Sequence, residues 1–139
     1  MKPTADYSNF EALNIRVGKI IDVADTQTKK PTYKMTIDFG NEIGIKVSCG
    51  AYRSYAKEEL IGKEVIGVVN FAPRKMGPEV SEVLVLGVAN EKGEVKYLTP
   101  QSEVQLGTEV LHGTEEFGPN VLRDPFLVVE AIYINRYLY

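Results

Sequence analysis

From Tyr33 to Phe39 the chain alternates without a break: Tyr33, Met35, Ile37 and Phe39 are apolar, with Lys34, Thr36 and Asp38 between them. A period of two sends successive side chains to opposite faces, so this stretch predicts a strand with one buried face. "GNEIG" then reads as a turn, and "IGIKVSC" alternates again with Lys46 and Ser48 on its polar side. The two runs predict a hairpin. Upstream, "IRVGKIIDVAD" places Ile15, Val17, Ile21 and Val23 at strand spacing, with Lys19 sharing their face. Before it, Ser8-Asn9-Phe10-Glu11 has the Ser-x-x-Glu pattern of a capping box, predicting a short helix over Ser8 to Asn14. Downstream, "SYAKEELIG" suits one helical turn ended by Gly62. "KEVIGVVNF" and "VSEVLVLGVA" are near-continuous apolar runs, which predict strands covered on both faces. "NEKGE" turns the second into a short strand, "VKYL", closed by Pro100.

About six strands with a one-turn helix after the third predict an all-β architecture. A five-stranded Greek-key barrel with a helix in that place is the OB-fold, which closes its sheet on itself and so removes most free edges. Residues 1–111 form this domain, including the short N-terminal helix, and residues 112–139 form a C-terminal extension. In the extension, "EEFGPNVLRDP" is loop-like, and Asp124-Pro125 suits a helix start. "FLVVEAIYINRYLY" reads either as a helix with Phe126, Val129, Tyr133 and Tyr137 on one stripe or as a strand. Either form is too apolar to stand alone in water, so the extension is expected to pack on the barrel or a dimer interface.

A chain of 139 residues at 44% hydrophobic can bury one real core but not two. The net charge of −3 gives no whole-protein argument for nucleic acid, so any such face must be a local patch. Residues 112–139 hold two Lys/Arg against four Asp/Glu, which concentrates the acidity there. Cys49 is the lone cysteine, so no disulfide framework or zinc spacing is present, and no cofactor or metal is expected. The N-terminus lacks the apolar run of a signal peptide, and no stretch approaches the roughly 20 apolar residues of a membrane span. The expectation is a cytoplasmic protein with no membrane insertion. His112 is the only histidine, and no nucleophile elbow, phosphate loop or metal-binding helix motif occurs. Catalysis is not expected.

The densest polar chemistry lies in "NFAPRKMGPEVSEVLVLG", residues 70–87. Asn70 sits in an otherwise apolar strand, where a buried amide needs partners. Pro73 stops the strand and sets Arg74 and Lys75 on a rim, and Gly77-Pro78 permits a sharp turn. Ser81 and Glu82 open the next strand. Glu82 shares a face with Leu84 and Leu86, so pairing with Arg74 or Lys75 is expected. Two readings follow: a turn that is structural only, or a ligand site to which Lys46 and Ser48 contribute. Lys29, Lys30 and Tyr33 are further candidate RNA contacts, offering charge and a stacking ring. The same mixture suits an extended peptide.

"LNIRVGKI", "YAKEELIGKEVIGVVNF" and "PRKMGPEVSEVLVLG" occur in the order found in the tRNA-binding OB-fold family, which the chain resembles over roughly Leu13 to Val110. That family includes domains appended to methionyl-tRNA synthetases and small stand-alone chaperones. Phe71, Val83 and Leu84 replace the Leu, Gly and Met more usual in the synthetase appendices, and "IDFGNEIGIKVS" follows the chaperone style. The resemblance implies a homodimeric, non-enzymatic chaperone that binds unfolded preproteins for export, or alternatively a tRNA-binding protein acting in trans. It maps ligand contacts to Lys46, Ser48, Asn70, Arg74, Lys75, Ser81 and Glu82.

Overall fold

The computed structural model describes residues 1–113, so the predicted helix or strand over 126–139 lies outside the described residues. Met1–Thr108 form one compact unit, and a second begins at Glu109. The first unit holds α1 (Tyr7–Glu11), β1 (Ile15–Asp25), β2 (Tyr33–Asp38), α2 (Gly40–Ile43), β3 (Ile45–Gly50) and α3 (Lys57–Leu60), followed by β4 (Glu64–Val68), β5 (Arg74–Met76), β6 (Glu79–Ser81), β7 (Leu84–Val85), β8 (Gly87–Ala89) and β9 (Val95–Tyr97). Five strands make an antiparallel sheet in the order β3-β2-β1-β4-β7, and β5-β6 and β8-β9 are separate hairpins. Three consecutive strands with a fourth returning beside the first is Greek-key topology. The sheet curls until β3 meets β6 and β7, giving a nearly closed OB-fold barrel.

The alternation of β2 is realised in full: Tyr33, Met35 and Ile37 are buried, as is Phe39 beyond the strand end. Each such side chain contributes about 1.5–3 kcal/mol of burial. They pack with Ile20, Val23, Tyr52, Leu60, Val65 and Val83 into one core. Gly18 makes room for them, since a Cβ there would stand 2.6 Å from Ile37 Cγ2 and 2.8 Å from the Phe39 ring. Gly62, at φ +88°, ends α3 as its position suggests, and its N–H donates to Ile20 O at 2.7 Å.

Several local expectations are corrected. The first half of β1 keeps its phase, with Ile15 and Val17 buried, but the register against β2 shifts between Ile20 and Asp22. This bulge buries Ile20 (1% exposed) and turns Ile21 outward (43%), before Val23 points inward again. The N-cap of α1 is Asp6, not Ser8: its carboxylate accepts from the Ser8 N–H at 3.0 Å, an earlier start than the capping-box pattern gave. "GNEIG" forms the short helix α2 instead of a plain turn. The run "VSEVLVLGVA" is divided among β6, β7 and β8, and it is not covered on both faces, because Leu84 (51%) and Val88 (56%) are exposed.

Candidate functional site

The barrel closes at the seam between β3 and the segment Ser81–Val85, and it closes largely through side chains. Along the open edge of β3, the Val47 N–H donates to Glu82 Oε1 at 3.1 Å and the Cys49 N–H donates to Ser81 Oγ at 3.0 Å. From the other bank, Val83 O accepts from Ser48 Oγ at 2.9 Å and Val85 O accepts from the Tyr52 hydroxyl at 2.9 Å. One strong backbone bond, Glu82 N–H to Val47 O at 2.7 Å, fixes the register. An edge strand left bare would present unpaired donors and acceptors, so Ser81 and Glu82 take the place of a missing strand partner.

This arrangement relocates the candidate residues. Ser48 is not on a polar face but buried (2% exposed), with its hydroxyl committed to Val83 O. Glu82 makes its bond to the Val47 N–H rather than an ion pair with Arg74 or Lys75. The reason is geometric: the carboxylate lies beside the β3 edge, where a backbone N–H would otherwise be orphaned. Asn70 lies beyond the end of β4 and is exposed. Its Oδ1 accepts from the Asn14 N–H and its Nδ2 donates to Ala12 O, both at 2.8 Å, so it clamps the α1–β1 connection to the end of β4. Tyr33 is buried (7%), with its hydroxyl donating to Tyr55 O and the Arg53 guanidinium 4.6 Å from its ring centre. That ring is packed, not presented for stacking.

The cations are free where the polar groups are committed. Arg74 and Lys75 are exposed on β5, Lys29 and Lys30 are exposed in the β1–β2 loop, and Lys46 is half-buried on β3. None of these five makes an ion pair among the described residues, whereas Lys34 reaches Glu79 at 3.8 Å. A Cβ at Gly77 (φ +62°) would stand 3.9 Å from Gln27 O, so the tip of the β5–β6 hairpin leans on the β1–β2 loop. Two cation-bearing loops thereby meet at one rim. The loop itself is pinned by buried Thr32, whose Oγ1 lies 2.6 Å from Thr26 Oγ1 and 2.9 Å from Thr28 Oγ1.

Two open depressions follow the seam. One, about 350 Å³, lies between the hairpin and the barrel, with Pro73, Pro78 and Val80 against Lys34, Glu79 and Glu82. The other, about 380 Å³, lies where β3 and β7–β8 part, lined by Cys49, Ala51, Leu84 and Val95, with Tyr52 at its base. Burial pushes the Tyr52 hydroxyl up to about 12, with a smaller push from Tyr55, so it stays protonated as a donor. Burial likewise raises the Cys49 thiol, helped by Glu79 and opposed by Lys34, which makes it a poor nucleophile. Among the described residues no cluster of His, Cys, Asp and Glu could hold a metal. Sequence reasoning missed Tyr52, Val47 and the exposed stripe of Leu84 and Val88. Tyr52 sits between Gly50 and Gly87, either of which a Cβ would drive into its ring or hydroxyl, a packing that the local sequence does not announce.

Residues 15–109 match the tRNA binding domain family. Crystal structures of CsaA chaperone proteins are similar: that of Picrophilus torridus is 42% identical at a TM-score of 0.74, covering 78% of this chain and 100% of the other. That of Bacillus anthracis is 35% identical at 0.74, with the same coverage. Among curated proteins, the methionine–tRNA ligase of Methanococcus vannielii is 37% identical over 105 residues, 76% of this chain. That of Parabacteroides distasonis is 34% identical over 110 residues, 79% of this chain. In both cases the match spans 16% of the ligase, so the resemblance is to one appended domain and not to the ligase as a whole. Family match, barrel and seam agree: the chain belongs to the tRNA-binding OB-fold family and is CsaA-like within it.

Proposed function

We propose that this chain is a cytoplasmic, homodimeric chaperone that holds unfolded segments of preproteins for export and catalyses no reaction. The observation that carries the reading is the seam: exposed Val80 and Leu84 each line one of two depressions, Val88 is exposed further along on β8, and Arg74 and Lys75 on β5 and Lys46 on β3 stand on the adjoining strands. Exposed apolar side chains grouped beside a groove favour a partner with apolar side chains of its own. Ser48, Ser81 and Glu82 shape the groove through the backbone, Asn70 holds the α1–β1 connection to the end of β4, and Lys46, Arg74 and Lys75 meet the ligand. A dimer would offer two such grooves to one extended chain, raising avidity through effective concentration.

A second reading, tRNA binding in trans, is favoured by one feature: Lys29 and Lys30 stand on a loop that meets the hairpin bearing Arg74 and Lys75. Paired loops at the mouth of an OB-fold are a common route to oligonucleotides. The assay that tests the first reading follows light scattering of a chemically denatured client on dilution, with and without the protein. Suppressed aggregation is expected, and equal aggregation in both would sink it. A monomer mass in solution would remove the two-groove mechanism.

A further inference from the structure

We propose that the outer edge of β8 is a strand-addition site, where an extended segment of unfolded polypeptide pairs with the backbone of Gly87 and Ala89. This rests on the chaperone reading and specifies how the groove would hold its client.

In the β8–β9 hairpin, the Leu98 N–H donates to Leu86 O and the Asn90 N–H donates to Glu94 O, both bracketing the pair Val88–Lys96. Hydrogen-bonded and non-bonded pairs alternate in an antiparallel ladder. Val88 therefore turns its backbone groups towards β9, whereas Gly87 and Ala89 turn theirs the other way. Val83 and Val85, four and two residues before Gly87, share that direction, and their carbonyls receive the Ser48 and Tyr52 hydroxyls. The side-chain closure of the seam thus ends at Tyr52. Beyond it, no further strand pairs with β8 among the described residues.

The groups left without a partner among the described residues are two N–H donors and two carbonyl acceptors at the mouth of the 380 Å³ depression, which Gly87 lines. Proteins commonly guard such edges with proline and lysine. The outer edge of β5 is guarded in that manner by Pro73, Arg74 and Lys75. The β8 sequence, Gly-Val-Ala, carries no guard and is exposed throughout. Leu84 and Val88 project on the same outward face of the continuous β7–β8 run, half-exposed at 51% and 56%. An added strand would lay alternate side chains along this apolar stripe while its backbone satisfied Gly87 and Ala89. Backbone pairing supplies affinity without regard to sequence, which suits a partner defined only by being unfolded.

The test uses the full chain and, as probe, reduced and carboxymethylated α-lactalbumin, which cannot refold. Ala89→Pro removes an outward N–H and inserts a ring on the edge, leaving the Val88 bonds to β9 in place. The variant is expected to bind the probe at least about fivefold more weakly than wild type, with wild-type Leu84 and Val88 intact. In wild type, amide exchange at Gly87 and Ala89 is expected to slow when the probe is bound, a readout that holds even if the variant fails to fold. Binding by wild type with unchanged exchange at both amides would overturn the edge site alone. No binding of the probe by wild type at any concentration tried would overturn the chaperone reading as well.

Discussion

Val83 O is the shared acceptor of the seam, taking Ser48 Oγ at 2.9 Å and Ser81 Oγ at 3.2 Å, and this makes the closure testable by a double-mutant cycle. Ser48→Ala removes one donor from a carbonyl that keeps the other, so the loss is that of a single net hydrogen bond, about 1 kcal/mol. Ser81→Ala also frees the Cys49 N–H, but Cys49 is only half-buried and water can replace the hydroxyl, so about 1 kcal/mol is again expected. With both serines gone, Val83 O has neither partner while Val83 itself is 4% exposed. An orphaned buried carbonyl costs about 1–3 kcal/mol, and this appears only in the double variant. The two substitutions are therefore expected to destabilise more than additively, by about 1–2 kcal/mol. Urea unfolding of the four proteins, with equal m values, reads the coupling from the midpoints. Additivity within about 0.5 kcal/mol would refute the shared-acceptor account.

Three further outcomes follow from the same packing. Ile20→Ala should cost about 2–5 kcal/mol in urea unfolding, whereas Ile21→Thr should cost less than about 1 kcal/mol, because the bulge turns Ile21 outward; equal costs would remove the bulge. Gly18→Ala should destabilise by about 1–3 kcal/mol, since its Cβ meets Ile37 and Phe39 below 3 Å, and an unchanged midpoint would show that the core gives way. For Tyr52 the folded pKa of about 12 lies above an unfolded value near 10. The unfolded chain then loses its proton first, so stability from this group is complete below about pH 10 and falls as pH rises towards 12. Urea midpoints measured from pH 8 to 11.5 should fall less steeply in Tyr52→Phe than in wild type, and parallel curves would contradict the assignment.

The sequence was most legible where local periodicity and burial coincide. β2 alternates strictly because it pairs with β3 in unbroken register and the extra residue of its pairing with β1 lies on β1, so Tyr33 to Phe39 could be phased from the residues alone. β1 could be phased at Ile15, Val17 and Val23 but not at its bulge, where Ile20 turns inward and Ile21 outward and no residue type announces the change. The Ser81-Glu82 motif was visible, but its work was not. Its partners, Val47 and Cys49, lie more than thirty residues away on a strand edge that exists only once the sheet has curled. The exposure of Leu84 and Val88 was hidden for the same reason: an apolar run looks identical whether it fills a core or lines an open seam. Cation-rich loops were recognised as such, and their meeting through Gly77 and Gln27 is a tertiary fact.

The most direct test of the groove reading is a pair of binding titrations, unfolded carboxymethylated α-lactalbumin and bulk tRNA, at about 50 mM and about 200 mM salt. Apolar burial and backbone pairing respond little to salt, while release of counterions from several phosphates weakens binding log-linearly. The account predicts binding of the unfolded protein whose dissociation constant changes by less than about threefold, with any tRNA binding falling about tenfold or more. Tight tRNA binding with no measurable affinity for the unfolded protein at either salt concentration would contradict it.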